Sequence, residues 1–345
     1  MRPSPSQTYL PNTSGALMKV PSEGIILGEG PFTESETPTG DCSFYVNSFD
    51  LADHRPWKTP ATWRILDETS KNSTQTIPDL PIQWTPPSKQ AFARVFDEIC
   101  NEINTSRLIK TVPTLTQLGQ LPTDDSWQQL IIRCLIAPDH LLPFGYWDNN
   151  QGFCGASPEY LFKQTGNTLE TMALAGTSRP ENELAFTHDE KEIHEHEIVA
   201  DALIASLSPF GQLTRSPRAI LNLKKLIHFY SHLRLISKEN HSPDFWTQLL
   251  HPTPALGSQP KTPQTMAQLY EWRRQLDCPA YFGAPFGLWY KGSFTSLVAI
   301  RGVHWLGRTL ALTSGCGVVK NSQLPQEWRE LKLKRDAIRQ SLHLS

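Results

Sequence analysis

The residues predict a mixed α/β chain of the α+β type, and two observations carry that prediction. Three stretches, at 88–103, 187–207 and 325–342, repeat apolar residues at helical spacing. Between them lie short β-forming runs separated by Pro, Gly and Asn turns. At 345 residues the chain can bury a large core, and its length alone permits one oversized domain or two. The formal net charge is −2, and no basic run resembles a phosphate-binding patch, so nothing points to nucleic acid. The six cysteines (42, 100, 134, 154, 278, 316) form no CxxC pair, which argues against zinc or redox work and fits a reducing compartment. Met1 to Ser6 lack an apolar leader, and the most apolar stretch, Leu130 to Phe144, is broken by Arg133, Asp139 and two prolines. A soluble, cytoplasmic protein without membrane segments is expected.

Residues 1–88 are rich in Pro, Ser and Thr, with short apolar pieces such as Gly24-Ile25-Ile26-Leu27 and Phe44-Tyr45-Val46. They read as an irregular or short-stranded region, mostly loop from Ile65 to Thr85, that leads into a catalytic part at 89–345. From Ser88, a candidate N-cap, Phe92, Val95, Phe96, Ile99 and Ile103 predict a helix of about four turns. A strand-like run follows, Leu108-Ile109-Lys110-Thr111-Val112. Lys110 there is either the solvated side of a half-exposed strand or, facing an enclosed site, a lysine able to serve as a base. Leu130–Ile136 and Gly152–Leu161 read as further strands. The second carries Ser157-Pro158-Glu159, an acid among apolar neighbours where a carboxyl pKa rises toward general-acid use, or else an exposed strand residue.

Met172 to Thr177 then runs toward the central helix, whose start is read at Thr187 with Glu190 in capping-box spacing. Ile193, His196, Ala200, Leu203, Ile204 and Leu207 form one stripe, and Glu192 and Glu195, three apart, share its flank. These acids either favour the positive helix N-terminus or meet a cation. His194-Glu195-His196 is not the HExxH of zinc proteases, because Ile198 stands where the second histidine belongs. Downstream come a proline-stiffened loop, Leu249–Gly257, and strands or strand ends at Tyr281, Val298–Gly302 and Thr313–Val318. Arg301 inside an apolar strand implies an anion or a core salt bridge. In the last helix, Pro325–Leu342, Glu327, Glu330 and Lys334 share a flank, a second Glu-x-x-Glu pair. Two such pairs on two helices offer the oxygen ligands Mg²⁺ prefers.

These motifs come in a particular order: Lys110, Ser157-Pro158-Glu159, Ala175-Gly176-Thr177, Lys191-Glu192-Ile193-His194-Glu195-His196, His251-Pro252-Thr253-Pro254-Ala255-Leu256, Ile300-Arg301, Gly315-Cys316-Gly317 and Glu327-Trp328-Arg329-Glu330. In that order they resemble the chorismate-utilising enzymes related to anthranilate synthase component I, and within them the isochorismate synthases. The resemblance runs from Lys110 to the last residue, roughly two-thirds of the chain. It implies one large α/β domain of packed antiparallel β-sheets with outer helices. It also implies chorismate as the small-molecule partner, Mg²⁺ as cofactor, and a monomer or homodimer.

Carried over by position, Glu195 and Glu330 match direct Mg²⁺ ligands, and Glu192 and Glu327 the water-mediated carboxylates behind them. Arg301 and Tyr281 match the grip on the enolpyruvyl carboxylate, while Gly176, Thr177 and Gly315 match backbone near the ring carboxylate. Lys334 matches a motif lysine near the metal. A lysine at 110, where anthranilate synthases carry glutamine, suits activation of water for attack at C2. Ala175, where aminodeoxychorismate synthases carry a lysine nucleophile, cannot form their covalent intermediate. Lys110 is thus the expected general base and Glu159 the expected general acid at C4. The product is expected to enter quinone or siderophore synthesis. Salicylate synthesis by further loss of pyruvate, or a degenerate binding subunit, are the alternatives. Pro113, Leu115, Phe282 and Cys316 depart from the usual pattern, and Phe282 adds bulk beside the site.

Overall fold

The computed structural model describes residues 13–345 apart from Ser22, 67–76 and Asp139. The expectations for the first six residues, for Asp139 and for the middle of the 65–85 loop therefore lie outside the described residues. Among the described residues, seventeen strands form one connected sheet in which every pairing is antiparallel, and a short ribbon pairs Lys110–Thr111 with Val318–Val319. Seven described helices accompany it: α1 (Lys89–Asn104), α2 (Trp127–Leu135), α3 (Glu183–Phe186), α4 (Glu190–Leu207), α5 (Pro243–Leu250), α6 (Pro263–Gln275) and α7 (Leu324–Ser341). The mixed, antiparallel architecture is the one expected. Among the described residues no helix is long and apolar enough to cross a membrane.

Several expectations need correction. Residues before 88 are not short-stranded cover: Gly24–Ser35 and Trp57–Leu66 are strands of 12 and 10 residues. Their prolines suggested loops, but Pro31 falls at a register shift between Glu29 and Phe32, where a ladder tolerates a missing N–H. These strands are built into the rest of the sheet. Ser14–Val20 pairs with Leu142–Asp148, and Cys42–Val46 with Pro285–Tyr290. Leu130–Ile136 is not a strand: Leu130 to Leu135 belong to α2, and Ile136 is its C-cap. Trp127, Leu130, Ile131 and Cys134 recur at i, i+3, i+4 and i+7, and their burial outweighs the β preference of two isoleucines. Trp127 stacks on Trp305 with ring centroids 6.1 Å apart. The lysine strand shrinks to Lys110–Thr111, with Val112 and Pro113 interrupting it before Thr114–Gln120.

Ser88 caps α1 as expected, its hydroxyl accepting from Ala91 N at 3.1 Å. The five apolar residues of α1 are buried against Val318 and Leu331. At roughly 1.5–3 kcal/mol each, that burial exceeds any propensity term in holding the helix. The cap of α4 is not Thr187. Asp189 accepts from Lys191 N and Glu192 N, while the Thr187 hydroxyl donates to Leu184 O and closes α3. A carboxylate placed two residues nearer the helix wins the orphan N–H groups. The C-terminal residues fold back on the first third of the chain: Leu80 N donates to His343 O, Ile82 N to Ser345 O, and Ser345 N to Leu80 O.

Candidate active site

Two helices and several strand ends meet at one cavity, lined by Glu159, Gly176, Glu195, His228, Arg301 and Lys334 among others. The long helix α4 brings Glu195 to it and also carries Glu192, and α7 brings Lys334 and also carries Glu327 and Glu330. A hydrogen bond from Arg335 Nη1 to Ser314 Oγ, and another from Ser314 Oγ to Leu331 O, fix α7 to the strand Thr309–Gly315. Three of these carboxylates are buried, at 8, 7 and 0% exposure for Glu192, Glu195 and Glu327.

The four acids are held by three lysines. Lys110 Nζ lies 3.0 Å from Glu195 Oε1, and Lys334 Nζ lies 2.6 Å from Glu330 Oε1. Lys191 Nζ lies 3.0 Å from both Glu192 Oε1 and Glu327 Oε1, tying α4 to α7. Burial pushes Glu192 up to about 7 and Glu327 up to about 6, with the neighbouring Glu195 and Glu330 adding to the rise in each case. Burial also works against Glu195, but Lys110 and Lys191 overcome it and hold that carboxyl below its ordinary value. Burial disfavours the Lys191 charge as well, yet the surrounding glutamates keep its pKa well above the usual range.

The opposite wall is made of strand ends. The Ser157-Pro158-Glu159 turn is tied down by Ser157 Oγ to Val298 O at 2.7 Å and by Glu159 N to Ser157 Oγ at 3.2 Å. Burial raises the Glu159 carboxyl to about 8, against the pull of Lys110, Lys334 and Arg301. Arg301 is not inside a strand, as the sequence suggested. It sits between Ser293–Val298 and Gly302–Leu306 with φ at +60°, a left-handed conformation uncommon for a side-chain-bearing residue. Its carbonyl accepts from Ala156 N, and its Nη2 lies 3.0 Å from His228 Nε2. His228 Nδ1 is 2.8 Å from Gly176 O, which requires the Nδ1–H tautomer and leaves Nε2 to accept from arginine. Burial, then Arg301 and Lys334, keep this histidine neutral, its pKa well below the ordinary value.

Gly176 has φ at +74°, and a Cβ there would press on the Glu192 main chain and carboxylate. At Gly317 a Cβ would collide with the Glu195 carboxylate, so the glycine admits Glu195 and Lys110 behind it.

Of the expected site residues, Glu159, Gly176, Thr177, Glu195, Arg301, Gly315 and Lys334 line the cavity, whereas Glu192, Glu327, Glu330, Tyr281 and Lys110 do not. Tyr281 does not face this cavity; it is 39% exposed, stacks on Phe153 and lines a separate surface cavity, while its neighbour Phe282 lines the site. One residue of the 279–283 turn points each way, and Gly283, at φ +72°, lets the chain swing back to the sheet. Thr177 N–H is not open to a ligand, because it donates to Glu192 Oε2 at 2.8 Å. Lys110 does not line the cavity and reaches it through Glu195. Its backbone is locked by reciprocal hydrogen bonds with Gln259. Sequence reasoning missed His228 and Lys191: the first lies in an alternating polar strand, the second inside a motif read for its acids.

The four carboxylates suit a hard divalent cation by donor type. Among the described residues Glu327 Oε2 is buried without a hydrogen-bond partner, as an oxygen kept for a ligand would be. Among the described residues no three His, Cys, Asp or Glu side chains converge on one point. The lysines stand between them instead.

The chain is similar to known proteins over most of its length. Residues 41–343 match the family model described as chorismate binding enzyme. A salicylate biosynthesis isochorismate synthase of Pseudomonas aeruginosa is 30% identical over 266 residues, 74% of this chain and 55% of that protein. The isochorismate synthase MenF of Bacillus subtilis is 31% identical over 207 residues, 55% of this chain and 42% of its own length. The chain thus spans about half the length of these relatives. Among solved structures, a putative 2,3-dihydroxybenzoate-specific isochorismate synthase, DhbC, from Bacillus anthracis shares the fold, with TM-score 0.79, 21% identity and 98% of each chain covered. The chain belongs to the chorismate-binding enzyme family.

Proposed function

We propose that the protein is a cytoplasmic, Mg²⁺-dependent isomerase that converts chorismate into isochorismate. The observation that carries this reading is the company Glu159 keeps. A carboxylic acid with a pKa of about 8 shares one cavity with Arg301 and Lys334, two cations suited to a dicarboxylate, and with Glu195, one of the metal-type acids. The names of the relatives support it.

In this reading Arg301, held by His228, pairs with the enolpyruvyl carboxylate. Glu159, protonated at neutral pH, gives its proton to the C4 oxygen, which departs as water. The ring double bonds shift as a second water attacks C2, and that water's proton passes to Lys110. The Lys110–Glu195 ion pair must first open and its ammonium lose a proton to solvent, so that the neutral amine reaches this water and accepts its proton. One water enters and one leaves, so substrate and product are isomers. Mg²⁺ held by Glu195 and Glu330, with Glu192 and Glu327 behind them, would supply positive charge for the ring carboxylate.

The test is to incubate the purified protein with chorismate, with and without Mg²⁺, and separate the products by chromatography. Isochorismate formed only with Mg²⁺ is the expected result. Salicylate with pyruvate would move the protein to the sister activity. Unchanged chorismate in a folded sample would refute catalysis and direct attention to the bulk of Phe282.

A further inference from the structure

Lys191 occupies an unusual place for a cation. It lies in the first turn of α4, where the helix dipole disfavours positive charge, and its side chain is only 21% exposed. Its ammonium nevertheless lies 3.0 Å from a carboxylate on each of two helices, Glu192 on α4 and Glu327 on α7. Lys110 and Lys334 pair with Glu195 and Glu330 in turn. With four carboxylates against three ammonium ions, the cluster carries one net negative charge when all are ionised. Without the lysines the acids would face one another across a poorly solvated space, where like charges repel strongly. The second Glu327 oxygen has no partner among the described residues, so the pairing leaves ligand capacity behind it.

We propose that Lys191 is an internal counter-ion that holds the α4 and α7 carboxylates together in the metal-free protein and must leave Glu192 and Glu327 before a divalent cation can take both. The inference rests on the Mg²⁺ reading above. It assigns Lys191 two opposed effects. Its charge stabilises the metal-free fold, and the same charge competes with the metal. A lysine that merely packs would affect stability alone, and one that helped to hold the metal would weaken binding when removed.

The experiment uses the full chain, stripped with EDTA, as wild type, Lys191→Met and Lys191→Arg. Mg²⁺ binding is measured by calorimetry and by melting temperature against Mg²⁺ concentration. The methionine variant should melt below wild type in EDTA, bind Mg²⁺ on the order of tenfold more tightly, and recover most of its melting temperature with the ion. The arginine variant should stay near wild type. If the methionine variant is unfolded without metal, Mg²⁺ is titrated into it. Folding recovered at or below the concentration that half-saturates wild type supports the inference, and no recovery overturns it. Equal or weaker Mg²⁺ binding by Lys191→Met beside a binding wild type overturns the inference alone. Binding by neither protein overturns the Mg²⁺ reading with it.

Discussion

Glu159 and Glu195 are equally hidden, at 4 and 7% exposure, yet their environments drive them in opposite directions. Glu195 stands on the helical wall beside Lys110, and its carboxyl is held below the ordinary range. Glu159 stands on the strand wall, where burial outweighs more distant cations and lifts it to about 8. Burial alone therefore does not decide what a carboxyl can do; an adjacent ammonium does. The paired wall offers charge that a ligand can exchange, and the unpaired wall offers a proton.

The largest expected effect tests the unpaired side. Glu159→Gln should lower turnover by about 10²–10⁴-fold while chorismate still binds, and Lys110→Ala should do the same from the other end of the reaction. Near-normal turnover in either would break the assignment of acid and base. Arg301→Lys loses the planar fork and its contact with His228, so KM should rise by about 10–100-fold with kcat less affected.

The pH profile sharpens the comparison further. Glu159 is protonated below about pH 8, so kcat/KM should fall as pH rises through that value, and a profile flat to pH 9.5 would rule it out as the acid. The same upward shift has a stability consequence. The folded state holds a proton that the unfolded chain releases nearer the ordinary carboxyl value. Its contribution is full at acid pH and is lost as pH rises toward 8, with Glu192 and Glu327 acting in the same sense up to about 7 and 6. The melting temperature of metal-free protein should therefore decline between pH 5 and 8.5, and Glu159→Gln should flatten the upper part of that decline. The smallest effect is expected from His228→Gln, a rise in KM of about fivefold from a less firmly held Arg301, with kcat within about twofold.

Legibility in the sequence followed the same division. A Glu-x-x-Glu pair on a helix declares its geometry, since residues three apart share a face, so the spacing alone puts each acidic pair on one flank of its helix. Strand ends declare much less. Tyr281 and Phe282 are adjacent in a turn, and only backbone torsions select which enters the site. His228 shares its strand with Tyr230 and His232, an alternation that reads as a solvent face until Arg301 is seen beside it. Lys191 was in plain view, but its partner Glu327 lies on a helix more than a hundred residues away. In α2 the β-branched pair Ile131-Ile132 misled, because the burial of Trp127 and Cys134 fixed the period instead.

The hydrogen bonds that return His343 and Ser345 to Leu80 and Ile82 bear on how this protein can be dissected. They moor the far end of the helix that carries Glu327 and Glu330 to a segment that precedes every motif of the site. A fragment cut before Lys89 would lose that mooring. It would also expose Leu142–Asp148 and Pro285–Tyr290 as bare strand edges, the kind that recruit other chains into aggregates. The first third is therefore the wrong place for a truncation, however little chemistry its sequence displays.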